Sequence, residues 1–92
     1  MITDSGFGFV KTIEHNYELL KNLSLFKNLD TPILAGISRK SMLYKTLDIT
    51  AKEALNATTS ANTIALLNGA NILRVHDVKE AMEAIKIVNQ LK

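Results

Sequence analysis

Asp4, Lys40 and His76 stand at equal intervals along the chain, each beyond a short apolar run and ahead of an amphipathic stretch. In a parallel α/β arrangement that place is the carboxyl end of a strand, where ligand sites form. Alternation along Ile72-Leu73-Arg74-Val75-His76 puts Ile72, Arg74 and His76 on one strand face and Leu73 and Val75 on the other. An arginine and a histidine together, just before a helix start at Asp77, suit a phosphate-like anion. The guanidinium offers a planar donor fork and the helix end offers free N–H groups. The same pair would also fit a solvated arginine beside a histidine satisfied by backbone groups.

The run Ser38-Arg39-Lys40-Ser41 follows the apolar segment Ile33-Leu34-Ala35-Gly36-Ile37. That position expects one cation to face the site, and spacing alone leaves open which. Lysine would bring a directed ammonium to a ligand heteroatom. Asp4 precedes Ser5-Gly6-Phe7-Gly8-Phe9, which reads in two ways. It is either a glycine-rich turn with two exposed phenylalanines, or a buried carboxylate accepting N–H bonds from a heterocycle, with glycines permitting close approach and an aromatic ring walling the pocket. The glycine pattern lacks the third glycine of a dinucleotide fingerprint. His15, between Glu14 and Glu18 on a helix, reads as solvent-facing, and no second histidine at metal spacing supports a zinc site. Asn56, Asn62, Asn68 and Asn71 read as surface or cap residues, Met42 as a loop residue and Met82 as core.

The elements that must position these groups repeat three times as apolar run, polar turn and amphipathic helix. The first helix begins near Thr12 and carries Ile13, Tyr17, Leu20 and Leu23. The second is announced by Thr50 and Glu53, a capping-box pair, bears Ala54, Ala57, Ala61, Ile64 and Ala65, and ends at Gly69. Its small residues imply close packing against a neighbour. The third has Asp77 as N-cap with Glu80 as box partner, and a stripe of Val78, Ala81, Met82, Ile85 and Val88. Strand and helix alternating at this spacing predict α/β architecture, with parallel strands joined by right-handed crossovers. Three parallel strands are normally part of a larger sheet covered on both faces or closed into a barrel. A (β/α)8 barrel needs about 250 residues, so 92 residues read as one partial domain spanning 1–92, equivalent to a barrel's last three units.

Composition narrows the function classes. Eleven basic and nine acidic residues are interspersed, which argues against nucleic acid, because a phosphate track needs clustered cations. No apolar run approaches the ~20 residues that span a bilayer. The N-terminal residues lack the basic and apolar regions of a signal peptide, so a cytoplasmic location is expected. Without cysteine there is neither a disulfide framework nor a thiolate metal site.

Three motifs in order and spacing carry a family likeness. Asp4-Ser5-Gly6-Phe7-Gly8-Phe9 resembles a D-P-G-F-G-F turn, Gly36-Ile37-Ser38-Arg39-Lys40-Ser41 a G-x-S-R-K-S turn, and Arg74-Val75-His76-Asp77 an R-V-H-D ending. The chain resembles the dihydropteroate synthases over essentially its whole length, departing at Ser5, where the family has proline, and Val10, where glycine is usual. The resemblance implies a (β/α)8 TIM barrel of which this chain is the C-terminal three units. It implies a transferase of folate biosynthesis, a sulfonamide target, that joins 6-hydroxymethyl-7,8-dihydropterin pyrophosphate to p-aminobenzoate and releases pyrophosphate. By the same resemblance Asp4 binds the pterin ring and Lys40 contacts the pterin and the reaction centre. Gly36 lies in the substrate site, Phe9 and Ser38 border the p-aminobenzoate pocket, and Arg74 and His76 hold the leaving pyrophosphate. Mg²⁺ is implied, with its protein ligand outside this chain, as is self-association or a homodimer through the late helices. A chain of this length is expected to be inactive alone. A piece of a related pterin-binding methyltransferase, or a non-catalytic barrel fragment acting in assembly, is the competing expectation.

Overall fold

The β-branched and apolar run between Pro32 and Gly36 forms a strand because both flanks break the ladder. In the computed structural model the described residues are 2–8, 12–29 and 31–92, without the side chains of 27–29. Strands β1 (Thr3–Asp4), β2 (Ile33–Ala35) and β3 (Ile72–Leu73) form one parallel sheet in the order β1-β2-β3. Thr3 pairs with Ile33, Asp4 with Leu34, Leu34 with Ile72 and Ala35 with Leu73. Backbone bonds beyond the strand ends extend the ladder, with the N–H of Ser5 donating to Leu34 O at 3.1 Å and that of Arg74 to Ala35 O at 3.1 Å. The equal intervals between Asp4, Lys40 and His76 are therefore not the sheet register. Asp4 lies on β1 itself and level with Leu34, whereas Lys40 and His76 follow their strands in turns of different length.

Helix α1 (Ile13–Lys21) starts where Thr12 Oγ1 accepts the His15 N–H, a side-chain cap that satisfies one of the helix's orphan donors. A 3₁₀ segment, Leu23–Leu29, leads toward β2. Between β2 and β3 lie α2 (Ser41–Tyr44), a 3₁₀ turn at Ala51–Glu53 and α3 (Leu55–Leu67). The Thr50–Glu53 pair forms, with the Thr50 N–H donating to Glu53 Oε1 at 3.1 Å. It heads the 3₁₀ turn, so the α-helix begins two residues after Glu53. Helix α4 (Val78–Asn89) follows β3. No helix among the described residues is long and apolar enough to cross a membrane.

Ile33 and Ala35 face the helices and join Phe7, Leu20, Leu23, Ile37, Met42, Leu43, Ala61, Ala65 and Ala70 in one core. Leu34 and Ile72, half-buried, share the row that contains Asp4. Five expectations change here. Phe7 is 2% exposed, because the positive φ of Gly6 (79°) and Gly8 (84°) turns the chain so that its ring enters the core. Met42 is buried on α2, and its carbonyl accepts the Tyr17 hydroxyl at 2.8 Å. The buried stripe of α4 is Ala81, Ala84 and Val88, with Ile85 partly buried, while Val78 and Met82 are 63% and 48% exposed. Alanines let α4 approach α3 closely, which rotates the larger side chains to the outer edge. Ile64 likewise turns outward, and Asn62, read as surface, is buried.

Candidate functional site

The turn after β2 decides which cation meets the site. Arg39 sits at φ 55°, a left-handed conformation that costs a non-glycine residue energy unless its surroundings hold it. They do so through every face of the residue. Its Nε and Nη2 donate to the two Asp77 carboxylate oxygens at 2.9 Å each. Its Nη1 donates to the carbonyls of Ala51 (3.0 Å) and Lys52 (2.8 Å). Its backbone N–H donates to Thr58 Oγ1 at 3.0 Å. Arg39 is thus a framework clamp between the turns after β2 and β3. The expected N-cap bond of Asp77 does not form, because two charge-assisted bonds to one guanidinium outweigh a single N–H contact. The Arg39 bond also holds the Asp77 carboxyl below the ordinary aspartate range.

Lys40 turns the other way. Its Nζ donates to the Phe7 carbonyl, and its stem lies so close to Gly8 that a Cβ there would stand 3.3 Å from Lys40 Cδ and 3.4 Å from Nζ. Gly8 is held by Asn16, which is buried. Asn16 Oδ1 accepts the Gly8 N–H at 2.9 Å, and Asn16 Nδ2 donates to Thr12 O at 3.0 Å. Burial, reinforced by the charge of Arg74, lowers the Lys40 pKa, and Asp4 opposes the shift. An amine so placed loses its proton more readily than an exposed lysine.

Asp4 is an exposed carboxylate, contrary to the buried reading. Its Oδ1 accepts the Gly6 N–H at 2.9 Å and its Oδ2 accepts from Arg74 Nη2 at 3.4 Å. The Gly6 bond first, then the Arg74 charge, lowers its pKa. An exposed pair of this length contributes about 0–1 kcal/mol, so a ligand can displace it. The Arg74 guanidinium lies across Gly36, where an added Cβ would come within 2.9 Å of Nη2. His76 Nδ1 is 2.8 Å from Ser38 Oγ, and the same oxygen accepts the His76 backbone N–H at 3.2 Å.

These side chains enclose two adjoining recesses. One of about 220 Å³ is lined by Gly36, Ser38, Lys40, Arg74, Val75 and His76. The other, about 460 Å³, is lined by Phe7, Gly8, Arg39, Lys40, Ser41, Tyr44 and Ala51. Lys40 borders both. The structure therefore brings together Asp4, Gly36, Ser38, Lys40, Arg74 and His76 at the carboxyl edge of the sheet, while Phe9 lies outside the described residues and His15 stays exposed on α1. Asn16, Tyr44 and Ala51 belong to this neighbourhood and were not singled out by sequence. The one available signal was an asparagine on the otherwise apolar side of α1. Among the described residues no cluster of three or more His, Cys, Asp or Glu side chains could hold a metal ion. The side chains facing the recesses are mainly cations, which does not suit a hard dication.

A family model described as pterin binding enzyme matches residues 1–76. The dihydropteroate synthase of Escherichia coli (strain K12) is 44% identical over 88 residues, covering 96% of this chain and 31% of that protein. The bifunctional dihydropteroate synthase/dihydropteroate reductase of Helicobacter pylori is 41% identical over 92 residues, covering 100% of this chain and 24% of that protein. Among solved structures, the 7,8-dihydropteroate synthase of Vibrio fischeri ES114 superposes with a TM-score of 0.95 at 47% identity, over 98% of this chain and 33% of that one. A Yersinia pestis dihydropteroate synthase solved as a sulfonamide drug complex matches with a TM-score of 0.95 at 42% identity, over 98% and 33%. The chain spans about a third of the length of the Escherichia coli relative. With the family model covering most of its residues and its fold superposing on these enzymes, the chain belongs to the pterin binding enzyme family.

Proposed function

We propose that this chain supplies the last three βα units of a (β/α)8 barrel and, within it, half of a dihydropteroate synthase site. The observation that carries this is the position of Lys40, shared by two adjoining recesses, one of them lined also by Arg74 and His76. That layout suits a two-substrate displacement in which an anion departs. The half-buried row of Leu34 and Ile72, on the sheet face opposite the helices, supports a barrel interior completed by further strands.

In the proposed reaction the aniline nitrogen of p-aminobenzoate attacks the methylene carbon of 6-hydroxymethyl-7,8-dihydropterin pyrophosphate. A C–N bond forms, the C–O bond breaks with its electron pair going to pyrophosphate, and the nitrogen loses a proton to solvent. Arg74 and His76 stabilise the charge gathering on the departing anion, which is where preorganised donors are most effective. Asp4, kept ionised by Gly6 and Arg74, accepts N–H bonds from the pterin ring. Lys40 positions the reacting centre between the two recesses. Gly36 gives Arg74 room to lie across the sheet edge, and Phe9 is assigned to the p-aminobenzoate side, whereas Ser38, given to that side by resemblance, lines the recess of Arg74 and His76. Mg²⁺ has no fitting ligand set among the described residues. A cytoplasmic location accords with this role.

The exposed apolar side chains Ile64, Leu67, Val78 and Met82 of α3 and α4 support self-association, and the chain on its own is expected to be inactive. Joining it to the preceding part of the Escherichia coli relative completes the barrel. Calorimetric titration of that completed barrel with a pterin analogue tests the assignment. Binding that disappears in Asp4→Ala is expected, and a folded barrel that binds no pterin would overturn the reading in favour of a non-catalytic piece.

A further inference from the structure

Ser38 is 6% exposed, so its hydroxyl needs partners within the protein. The oxygen accepts the His76 backbone N–H at 3.2 Å and lies 2.8 Å from His76 Nδ1. A hydroxyl has one proton to donate, and among the described residues the recorded acceptor for it is Nδ1. If Nδ1 carried the ring proton instead, the Ser38 oxygen would accept twice and its own proton would be left buried without a partner, a penalised arrangement.

We propose that Ser38 is a positioning residue: its hydroxyl donates to His76 Nδ1 and holds the ring as the Nε2–H tautomer, leaving Nε2–H as the free donor at the cleft. One oxygen fixes both the backbone and the ring of the same residue across two strand-end turns. The ring enters the site with its donor already set toward an anion, as an outer partner does for a metal-bound histidine. The Ser38 hydroxyl is then committed to His76 and not to p-aminobenzoate. The identity of the anion rests on the synthase reading, whereas the tautomer does not.

The chain has only two imidazoles, and His15 is exposed on α1, so it serves as an internal reference. Long-range ¹⁵N–¹H spectra of the labelled chain at about pH 8.5, above the ordinary imidazole range, report which ring nitrogen carries the proton. Expected is a single form for His76, with Nδ1 as acceptor and Nε2 protonated, distinct from the exchange-averaged His15. Ser38→Ala should shift His76 toward the His15 pattern while other backbone amides hold their positions, and Ser38→Thr, which keeps the hydroxyl, should retain the parent spectrum. In the completed barrel Ser38→Ala should weaken inorganic pyrophosphate binding by about tenfold, the scale of one charge-assisted hydrogen bond. An Nδ1–H form in the parent, two indistinguishable rings, or a Ser38→Ala spectrum unchanged at His76 would each overturn the proposal. If the tautomer is as described but pyrophosphate does not bind, the synthase reading fails and the Ser38 assignment stands.

Discussion

Replacing Gly36 with alanine separates function from stability at this site. A Cβ at position 36 would stand 2.9 Å from Arg74 Nη2, 3.1 Å from Nε and 3.3 Å from Cζ, against about 3.5–4.0 Å for relaxed non-bonded contact. The guanidinium must therefore withdraw by roughly 0.5–1 Å. It has room to do so, because the Arg74 side chain is 61% exposed, and its 3.4 Å contact with Asp4 is the first to break. The backbone at Gly36 is outside the left-handed region, and a glycine-to-alanine change at such a site stabilises by about 0.4–1 kcal/mol through the unfolded chain. Function is affected differently, since a misplacement of ~1 Å in a positioning group can cost about 10²-fold in rate. In the completed barrel, Gly36→Ala should melt at or slightly above the parent temperature. It should be inhibited about tenfold less strongly by pyrophosphate and turn over roughly 10- to 100-fold more slowly. Unchanged inhibition and turnover would refute the claim that Gly36 makes space for Arg74. A large fall in melting temperature would show that the glycine serves the backbone.

Three further expectations follow from the electrostatics and the surface. Lys40 should titrate below the ordinary lysine value of about 10.4, so the fold gains stability as pH rises from its folded value to its unfolded one. Arg74→Ala should raise that pKa and Asp4→Asn lower it further, as read by lysine side-chain NMR, and shifts of opposite sign would discard the assigned causes. Asp77 has a folded pKa depressed by Arg39, so its contribution is present above about 3.9 and lost as pH falls through the folded value. Thermal melts should show that acid limb flattened in Arg39→Ala, and parallel curves for parent and variant would contradict the clamp. Sedimentation of the chain at micromolar concentration should reveal dimers or larger species, because unpaired strand edges and the apolar edge of α3 and α4 promote association. A compact monomer would count against that surface.

The strand-end placement of the reactive residues could be read from the sequence because turn chemistry and hydrophobic period are local signals. Pro32 and the apolar runs were sufficient to set Lys40 and His76 beyond their strands, whereas Asp4 lies on β1 itself and the strand expected over Ile72–His76 ends at Leu73. What could not be read depended on distant groups. Arg39 and Lys40 are adjacent and chemically alike in a polar turn, and their opposite directions come from Asp77, Ala51, Lys52 and Phe7, all remote in sequence. Asp77 has the residue type of a helix cap, yet its carboxylate is taken by that same arginine. Phe7 enters the core only because both neighbouring glycines adopt positive φ. On α4 the periodic pattern gave weight to Val78 and Met82, while the close contact with α3 selected Ala81 and Ala84, whose small size carries little hydrophobic signal. Asn16 was hidden among helix residues until its side chain met the Gly8 N–H.

Lys40 and Asp4 are proposed to act on the two substrates of a pterin-condensing enzyme. The most direct measurement is p-aminobenzoate-dependent release of pyrophosphate from the pterin pyrophosphate by the completed barrel. The parent should turn over, Lys40→Ala and Asp4→Ala should each lower turnover by at least ~10²-fold, and Glu14→Ala and His15→Ala, both exposed on α1, should remain close to the parent. A folded barrel that releases no pyrophosphate, or near-normal turnover in Lys40→Ala, would contradict these roles.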